Sequence, residues 1–292
     1  MHENFKSGFV SIIGKPNAGK STLMNRLVGE KLSIITPKAQ TTRHRVMGIL
    51  TDENYQIVYS DTPGILLPDY KLQESMMKYV KASLEDADLV LLVAELGEKY
   101  DPDIIERIRS AEIPMFFILN KCDLSTGSQA SDKMEYWKTQ LDALEYFQVS
   151  ALTGEGMDML TNSILSHLPV HPPYFPQDDI SDKPQKFFAS EIVREKIFLL
   201  YRKEVPYACE VEISEFIQEP DLLRIRAEIY VERQSQKGIL IGKKGEAIRE
   251  MGIAARKDME EFFGIHVYLE TFVKVSENWR KTEKGLRRFG YF

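Results

Sequence analysis

The chain has 292 residues, 43% of them hydrophobic and 28% charged, with a net charge of −6 at pH 7. That composition suits a globular protein with enough apolar residues for two cores, and it argues against a disordered or collagen-like chain. Cys122 and Cys209 are the only cysteines, so a disulfide framework or zinc cluster is not expected and a reducing cytoplasm fits. The first residues, MHENFKSGF, carry no apolar signal core, and no run approaches about 18 apolar residues; neither a membrane span nor classical export is expected. Charge is unevenly spread. Residues 1–182 hold 17 Lys and Arg against 26 Asp and Glu, whereas residues 183–292 hold 21 against 18. A polyanionic partner would therefore meet the back half.

In chain order, the first predicted strand is Phe9–Ile13, and a helical stretch over Thr22–Val28 follows it closely. Further strands are predicted at Arg45–Thr51, Tyr55–Ser60, Leu89–Ala94, Met115–Leu119 and Tyr146–Val149. Amphipathic helices are predicted at Leu72–Glu85, Asp103–Ser110 and Asp132–Leu144. Strands alternating with helices predict an α/β domain with a mixed, mainly parallel sheet and helices on both faces. Asp52-Glu53-Asn54 reads as a turn, making the second and third strands an antiparallel hairpin at one edge. Five prolines between Pro169 and Pro184 then stop any helix and predict an extended spacer. Beyond it, a helix (Phe188–Lys203), two strands (Cys209–Ile217 and Leu223–Glu232), a broken helical region (Ile239–Phe263) and a last strand (Val267–Val273) predict an α-β-β-α-α-β domain. The expected boundaries are 1–170, a linker over 171–184, 185–274, and a basic tail over 275–292.

Four motifs in the front domain carry nucleotide chemistry. Gly14-Lys15-Pro16-Asn17-Ala18-Gly19-Lys20-Ser21-Thr22 sits between a strand and a helix, the setting a P-loop needs to aim backbone N–H groups at phosphates. Lys20 would reach the β- and γ-phosphates, and the Ser21 hydroxyl would ligate Mg2+. Asp61-Thr62-Pro63-Gly64 follows the third strand: Asp61 is placed to hold Mg2+, and Gly64, lacking a Cβ, can close on the γ-phosphate. Asn120-Lys121-Cys122-Asp123 follows the fifth strand. Asp123 can accept from both guanine N1–H and the exocyclic amine, which adenine does not offer as a pair. Asn120 would tie this loop to the P-loop, the Lys121 stem would lie over the base, and a backbone N–H of Ser150-Ala151 would meet guanine O6. Ile65 stands where Ras-like enzymes carry a glutamine that orients water, and it can orient none. Slow intrinsic hydrolysis follows.

In the back domain, Ile241-Gly242-Lys243-Lys244-Gly245 matches the GXXG loop of a KH domain, and the element order is that of KH type II. Lys243 and Lys244 would contact phosphates. Ile241, Ile248 and strand residues such as Val231 would line the groove for unstacked bases, with Arg233 and Lys237 assisting. Trp279, Arg280, Lys281, Lys284, Arg287 and Arg288 are further candidate contacts.

GKPNAGKS, QTTRH, DTPG, NKCD and VSA, in this order and followed by a KH domain, resemble the Era family of bacterial GTPases along essentially the whole chain. The resemblance implies GTP hydrolysis, with GTP, GDP and Mg2+ as ligands and Lys20, Thr42 and Gly64 as catalytic residues. It makes Gln40-Thr41-Thr42-Arg43-His44 the first switch motif, with Thr42 preferred to Thr41 as a Mg2+ ligand beside Ser21 and Asp61. It also implies a K+ ion at Asn17, 16S rRNA near its 3′ end as target, and a monomer acting on the 30S subunit. Residence is expected in the cytoplasm, with peripheral contact at the inner membrane. Two other readings stay open: a non-catalytic RNA-binding assembly factor holding nucleotide structurally, and a GTPase working at a membrane surface.

Overall fold

The computed structural model describes residues 4–109 and 111–291, in two compact units. The first comprises residues up to Ser33, Thr42–Leu67 and Met76–Asp182; the second comprises Ile34–Thr41, Pro68–Ser75 and Lys183 onward.

Six strands build the first unit: β1 (Lys6–Ile13), β2 (Val46–Thr51), β3 (Tyr55–Asp61), β4 (Leu89–Glu95), β5 (Met115–Asn120) and β6 (Glu145–Gln148). They lie in the order β2-β3-β1-β4-β5-β6, all parallel except β2, which pairs antiparallel with β3 at the edge. β5 (MFFILN) is buried along its whole length, as a parallel strand covered on both faces must be. Its neighbouring residues show this directly. Phe117 packs on Trp137 of helix α4 (Gln129–Gln140), ring centroids 4.7 Å apart, while Phe116 meets His167 at the end of α5 (Met157–His167), 5.1 Å away. The remaining helices are α1 (Lys20–Val28), α2 (Lys71–Glu85) and α3 (Pro102–Arg109); Ser110, at the end of the predicted third helix, lies outside the described residues. Since β1 has β3 on one side and β4 on the other, the loop after β1 opens at the point where strand order reverses, where open α/β sheets bind ligands.

The proline-rich stretch is not a free spacer. Val170 and Ser181 form bridges with Lys6 and Gly48, and Ile49 N–H donates to Ile180 O at 2.9 Å. The buried Gln56 amide accepts from the N–H groups of Tyr174 and Phe175, at 2.8 and 2.9 Å, and donates back to Phe175 O. Extended backbone is what a sheet edge can pair with, so the prolines allow this segment to cover the edge at β2. The division between units falls after Asp182, within the expected linker 171–184, and most of that linker is attached to the first unit.

In the second unit, α6 (Gln185–Leu200) and the short α7 (Val205–Ala208) precede β7 (Glu210–Gln218) and β8 (Leu222–Val231). Helices α8 (Gln234–Ile241) and α9 (Glu246–Phe263) lead to β9 (His266–Val275), and α10 (Glu283–Arg288) follows. β7 pairs antiparallel with β8 and β8 parallel with β9, and apolar residues of α6, α8 and α9 form one core with all three strands. Val231 is fully buried in that core, so it does not line a groove as expected. α8 starts five residues before the predicted Ile239. Gln236 Oε1 reaches back to accept from the N–H groups of Glu232 and Arg233, satisfying donors that a helix start leaves open.

The last 18 residues are also not an appended tail. Trp279 is 1% exposed and its indole N–H donates to Ala208 O at 2.9 Å. Arg280 pairs with Glu232 and donates to Tyr207 O, Arg288 lies 4.4 Å from the centroid of the Tyr230 ring, and Tyr291 donates to Glu210 at 2.6 Å. Trp279 and Arg280 are thus structural, whereas Lys281, Lys284, Arg287 and Arg288 are exposed, Arg288 while resting on Tyr230. Among the described residues no helix is long and apolar enough to cross a membrane.

Candidate nucleotide and RNA sites

The loop after β1 carries Asn17 at φ 67° and Gly19 at φ 93° before α1 begins at Lys20, with Thr22 in its first turn. Lys20 Nζ lies over the loop and donates to Gly14 O at 3.0 Å and Lys15 O at 2.7 Å. Burial lowers its pKa to about 8 against the opposing pull of Asp61, so the amine is still mainly charged at neutral pH and an arriving phosphate would favour that charge further. Gly64 closes on the same loop. A Cβ there would stand 2.5 Å from Pro16 N, so only glycine permits the approach, and the next residue's N–H donates to Gly14 O at 3.0 Å. That next residue, Ile65, is 7% exposed and packed into the apolar core with Ile13 and Leu92. Thr62 ties the start of the same segment to β1 by donating to Ile12 O at 2.9 Å; Pro63 beside it is buried.

Three oxygens converge beside Lys20. Ser21 Oγ donates to Asp61 Oδ2 at 2.7 Å and stands 2.9 Å from Thr42 Oγ1. Thr41 does not join them: its hydroxyl faces Thr36 Oγ1 and Lys38 O, at 2.5 and 2.7 Å. Of the two candidate threonines, the geometry therefore selects Thr42. Asp61 is fully buried and its Oδ1 has no hydrogen-bond partner within 3.5 Å; burial pushes its carboxyl above the ordinary range, and Ser21, Lys20, Ser33 and the Thr62 N–H only partly offset this. A carboxylate oxygen buried without a partner, next to two hydroxyls, is the donor set of a hard divalent cation completed by phosphate and water. Ser21, Thr42 and Asp61 would hold Mg2+ there, directly or through water, and the ion would neutralise charge on the phosphate oxygens.

The base end is built from β5 and the loop after β6. Asn120 Nδ2 donates to Ala18 O at 3.0 Å while its Oδ1 accepts from Ala151 N–H at 3.0 Å, so one buried amide clamps the P-loop and the base loop together. Ser150 Oγ donates to Asp123 Oδ1 at 2.6 Å and orients that carboxylate. The Ser150 N–H is committed to Glu155 O, so this residue contributes its hydroxyl, and guanine O6 would have to share the Ala151 N–H with Asn120. Lys121, at φ 63°, pairs with Glu95 at 2.5 Å. Glu95 carries little signal in the sequence beyond being an acid directly after the apolar run of β4.

In the second unit, Gly242-Lys243-Lys244-Gly245 joins α8 to α9. Gly242 has φ 71°, and a Cβ there would lie 2.6 Å from the Ala247 Cβ, so the turn requires glycine. Lys243, Lys244 and Arg233 are exposed, Lys237 and Gly245 half-exposed. Ile241 and Ile248 are partly buried against the core, and Ile239 (51% exposed) and Ile253 (53%) present further apolar surface on the two helices. Neither of these two isoleucines was singled out from sequence, because helical spacing does not distinguish a wet face from a core face.

Comparison with known proteins bears on both units. Residues 9–121 match the family described as 50S ribosome-binding GTPase, and residues 204–280 match the KH domain family. The chain is 45% identical over 292 residues to the GTPase Era of Syntrophus aciditrophicus, covering 98% of this chain and 95% of that protein. The chain belongs to the Era family of GTPases. A chloroplastic ERA-like GTPase of Oryza sativa is also 45% identical, over 99% of this chain and 70% of its own length. Two solved Era structures superpose with TM-scores of 0.94, each covering 98% of this chain and 99% of theirs. One, 41% identical, is Era in complex with MgGDPNP and nucleotides 1506–1542 of 16S ribosomal RNA. The other, 40% identical, is a variant of Aquifex aeolicus Era bound to GDP and AlF4−.

Proposed function

We propose that this Era-family protein is a GTP-hydrolysing switch that binds 16S rRNA near its 3′ end and assists assembly of the 30S subunit. The observation that carries the reading is the convergence of Ser21, Thr42 and the partnerless Asp61 Oδ1 beside Lys20, in a chain that also presents a GXXG loop between two helices. The family description of the front half names the 50S subunit, but the KH half and the solved Era complex with 16S rRNA favour the small subunit. The RNA arm is tested by replacing Lys243 and Lys244 with alanine. Each lysine lost from a single-strand phosphate contact lowers the slope of log affinity against log salt by about 0.7, so the double variant loses about 1.4. An unchanged slope in filter binding places the RNA elsewhere.

Hydrolysis is slow unaided, since Ile65 is inside the core and supplies no group to orient water. K+ bound beside Asn17 would supply the positive charge that an arginine finger gives elsewhere. Turnover in K+ is expected to exceed turnover in Na+ by about tenfold or more, about 1.4 kcal/mol of transition-state stabilisation. Asn17→Ala abolishes the difference; equal rates in the two salts would remove K+ from the mechanism.

A further inference from the structure

Helix α8, which ends in the GXXG loop, is held at both ends by residues that also hold Ile34–Thr41 and Pro68–Ser75. All of these belong to the second unit. At the C-terminal end of α8, Tyr201 donates its hydroxyl to Leu240 O at 2.8 Å, two residues before Gly242. Tyr201 itself is 6% exposed, and its own carbonyl accepts, together with that of Phe198, from Lys38 Nζ. The end of α6 is a place where carbonyls lack helical partners and favour a cation, so Lys38 has a physical reason to seat there. Ile35 N–H adds a bond to Glu195 of α6 at 3.2 Å. At the N-terminal end, Gln236 fixes Glu232, the Glu232 carboxylate pairs with Arg280, and the Arg280 guanidinium lies 5.3 Å from the Tyr70 ring centroid. Tyr70 OH then donates to Gln40 at 3.3 Å. The contacts close into a ring: Lys38, Tyr201, α8, Glu232, Arg280, Tyr70, Gln40.

The chain leaves this unit at several points, and one of them, between Thr41 and Thr42, leads directly to the nucleotide site. Thr41 bonds Lys38 O through its hydroxyl, and the next residue is Thr42, whose own hydroxyl stands with Ser21 at the Mg2+ position. We propose that Lys38 and Tyr201 are positioning residues through which nucleotide state sets the geometry of the GXXG loop. The proposal rests on the switch reading above and assigns it a route. Were Thr42 to move away from Ser21 when the phosphate is lost, Thr41 would follow through the backbone, Lys38 would leave the α6 carbonyls, and Tyr201 would relax its hold on Leu240. By linkage, RNA seated on the loop strengthens GTP binding by the same factor.

The test uses the full chain with Mg2+ and the RNA of nucleotides 1506–1542 of 16S rRNA used in the solved Era complex. RNA affinity is measured with GDP and with a non-hydrolysable GTP analogue for the wild type, Lys38→Met and Tyr201→Phe. The wild-type ratio is expected at roughly 5- to 150-fold, the usual span of allosteric coupling. Both variants should bring it to about twofold or less. Tyr201→Phe keeps the ring and removes only the hydroxyl, so it reports on Leu240 without a packing defect. A variant that weakens RNA binding equally in both states, or leaves the ratio intact, overturns the route and spares the switch. A wild-type ratio of one overturns the switch reading itself.

Discussion

Asp123→Asn is expected to exchange the nucleotide preference from guanine to xanthine. The carboxylate would accept from guanine N1–H and from the exocyclic amine, and the Ser150 hydroxyl, 2.6 Å from Oδ1, orients it. An amide in its place still accepts from N1–H through its oxygen but turns an N–H donor toward the exocyclic amine, which is itself a donor. One charge-assisted bond is lost and the other becomes neutral, and a hydrogen bond to a charged group is worth about 1.5–3 kcal/mol, so GTP affinity should fall by roughly 10²–10⁴-fold. Xanthine carries a carbonyl where guanine carries the amine, and the asparagine N–H can donate to it. Xanthosine triphosphate should therefore bind the variant better than GTP does. Competition against a fluorescent guanine nucleotide reads both affinities. A variant that keeps its preference for GTP would move the base away from Asp123 and detach the base site from the phosphate site.

The second large effect is expected at Asp61, and it runs in opposite directions for activity and stability. Asp61→Asn removes the anionic oxygen that would hold Mg2+, and hydrolysis should fall by about 10²–10³-fold. The same substitution should stabilise the nucleotide-free protein by about 1–3 kcal/mol, because a neutral amide costs less to bury than a carboxylate. The sign of the pH dependence follows from the raised pKa of Asp61 in the fold. Between the ordinary carboxylate pKa of 3.8 and the displaced value, the folded chain keeps a proton that the unfolded chain has released, so wild-type stability declines as pH rises through that window. The advantage of the variant is thus absent at pH below 3.8 and complete above the displaced pKa. Denaturant midpoints measured across that range, without nucleotide and with Mg2+ and GTP, check it. Addition of the ligands should narrow the gap, since they bind only the wild type well. A variant no more stable than wild type at neutral pH would mean that the Asp61 charge is already compensated inside the fold.

Much of this was legible in the linear chain. The strand-loop-helix run at Gly14–Ser21, Asp61 after the third strand and Asn120-Lys121-Cys122-Asp123 after the fifth each pair an apolar β-branched run with short-range loop chemistry. Such signals are local: a loop aims backbone N–H groups, and a strand end presents a carboxylate, whatever surrounds them. The order of elements was legible for the same reason, and so were the edge hairpin and the GXXG turn. Val231 was misread because a strand facing a core and a strand facing a groove share one alternation. Trp279 and Arg280 differ from expectation because a cluster of basic and aromatic residues has the same composition whether it is solvated or bonded to Glu232, Tyr207 and Ala208.

What the chain determined alone is the chemistry each loop offers: a phosphate cradle, a metal carboxylate, a base-reading aspartate and a lysine-bearing glycine turn. Tertiary structure decided which groups are free to use that chemistry. It set Thr42 with Ser21 and turned Thr41 to Lys38, committed the Ser150 N–H to Glu155, and tied residues 170–182 to β1, β3 and the β2 edge. It also joined Lys38 to Tyr201 across 163 residues of chain. The physical reason is that a hydrogen-bonding group has few bonds to give. Sequence shows that a donor or acceptor exists, and only the packed chain shows which partner has claimed it.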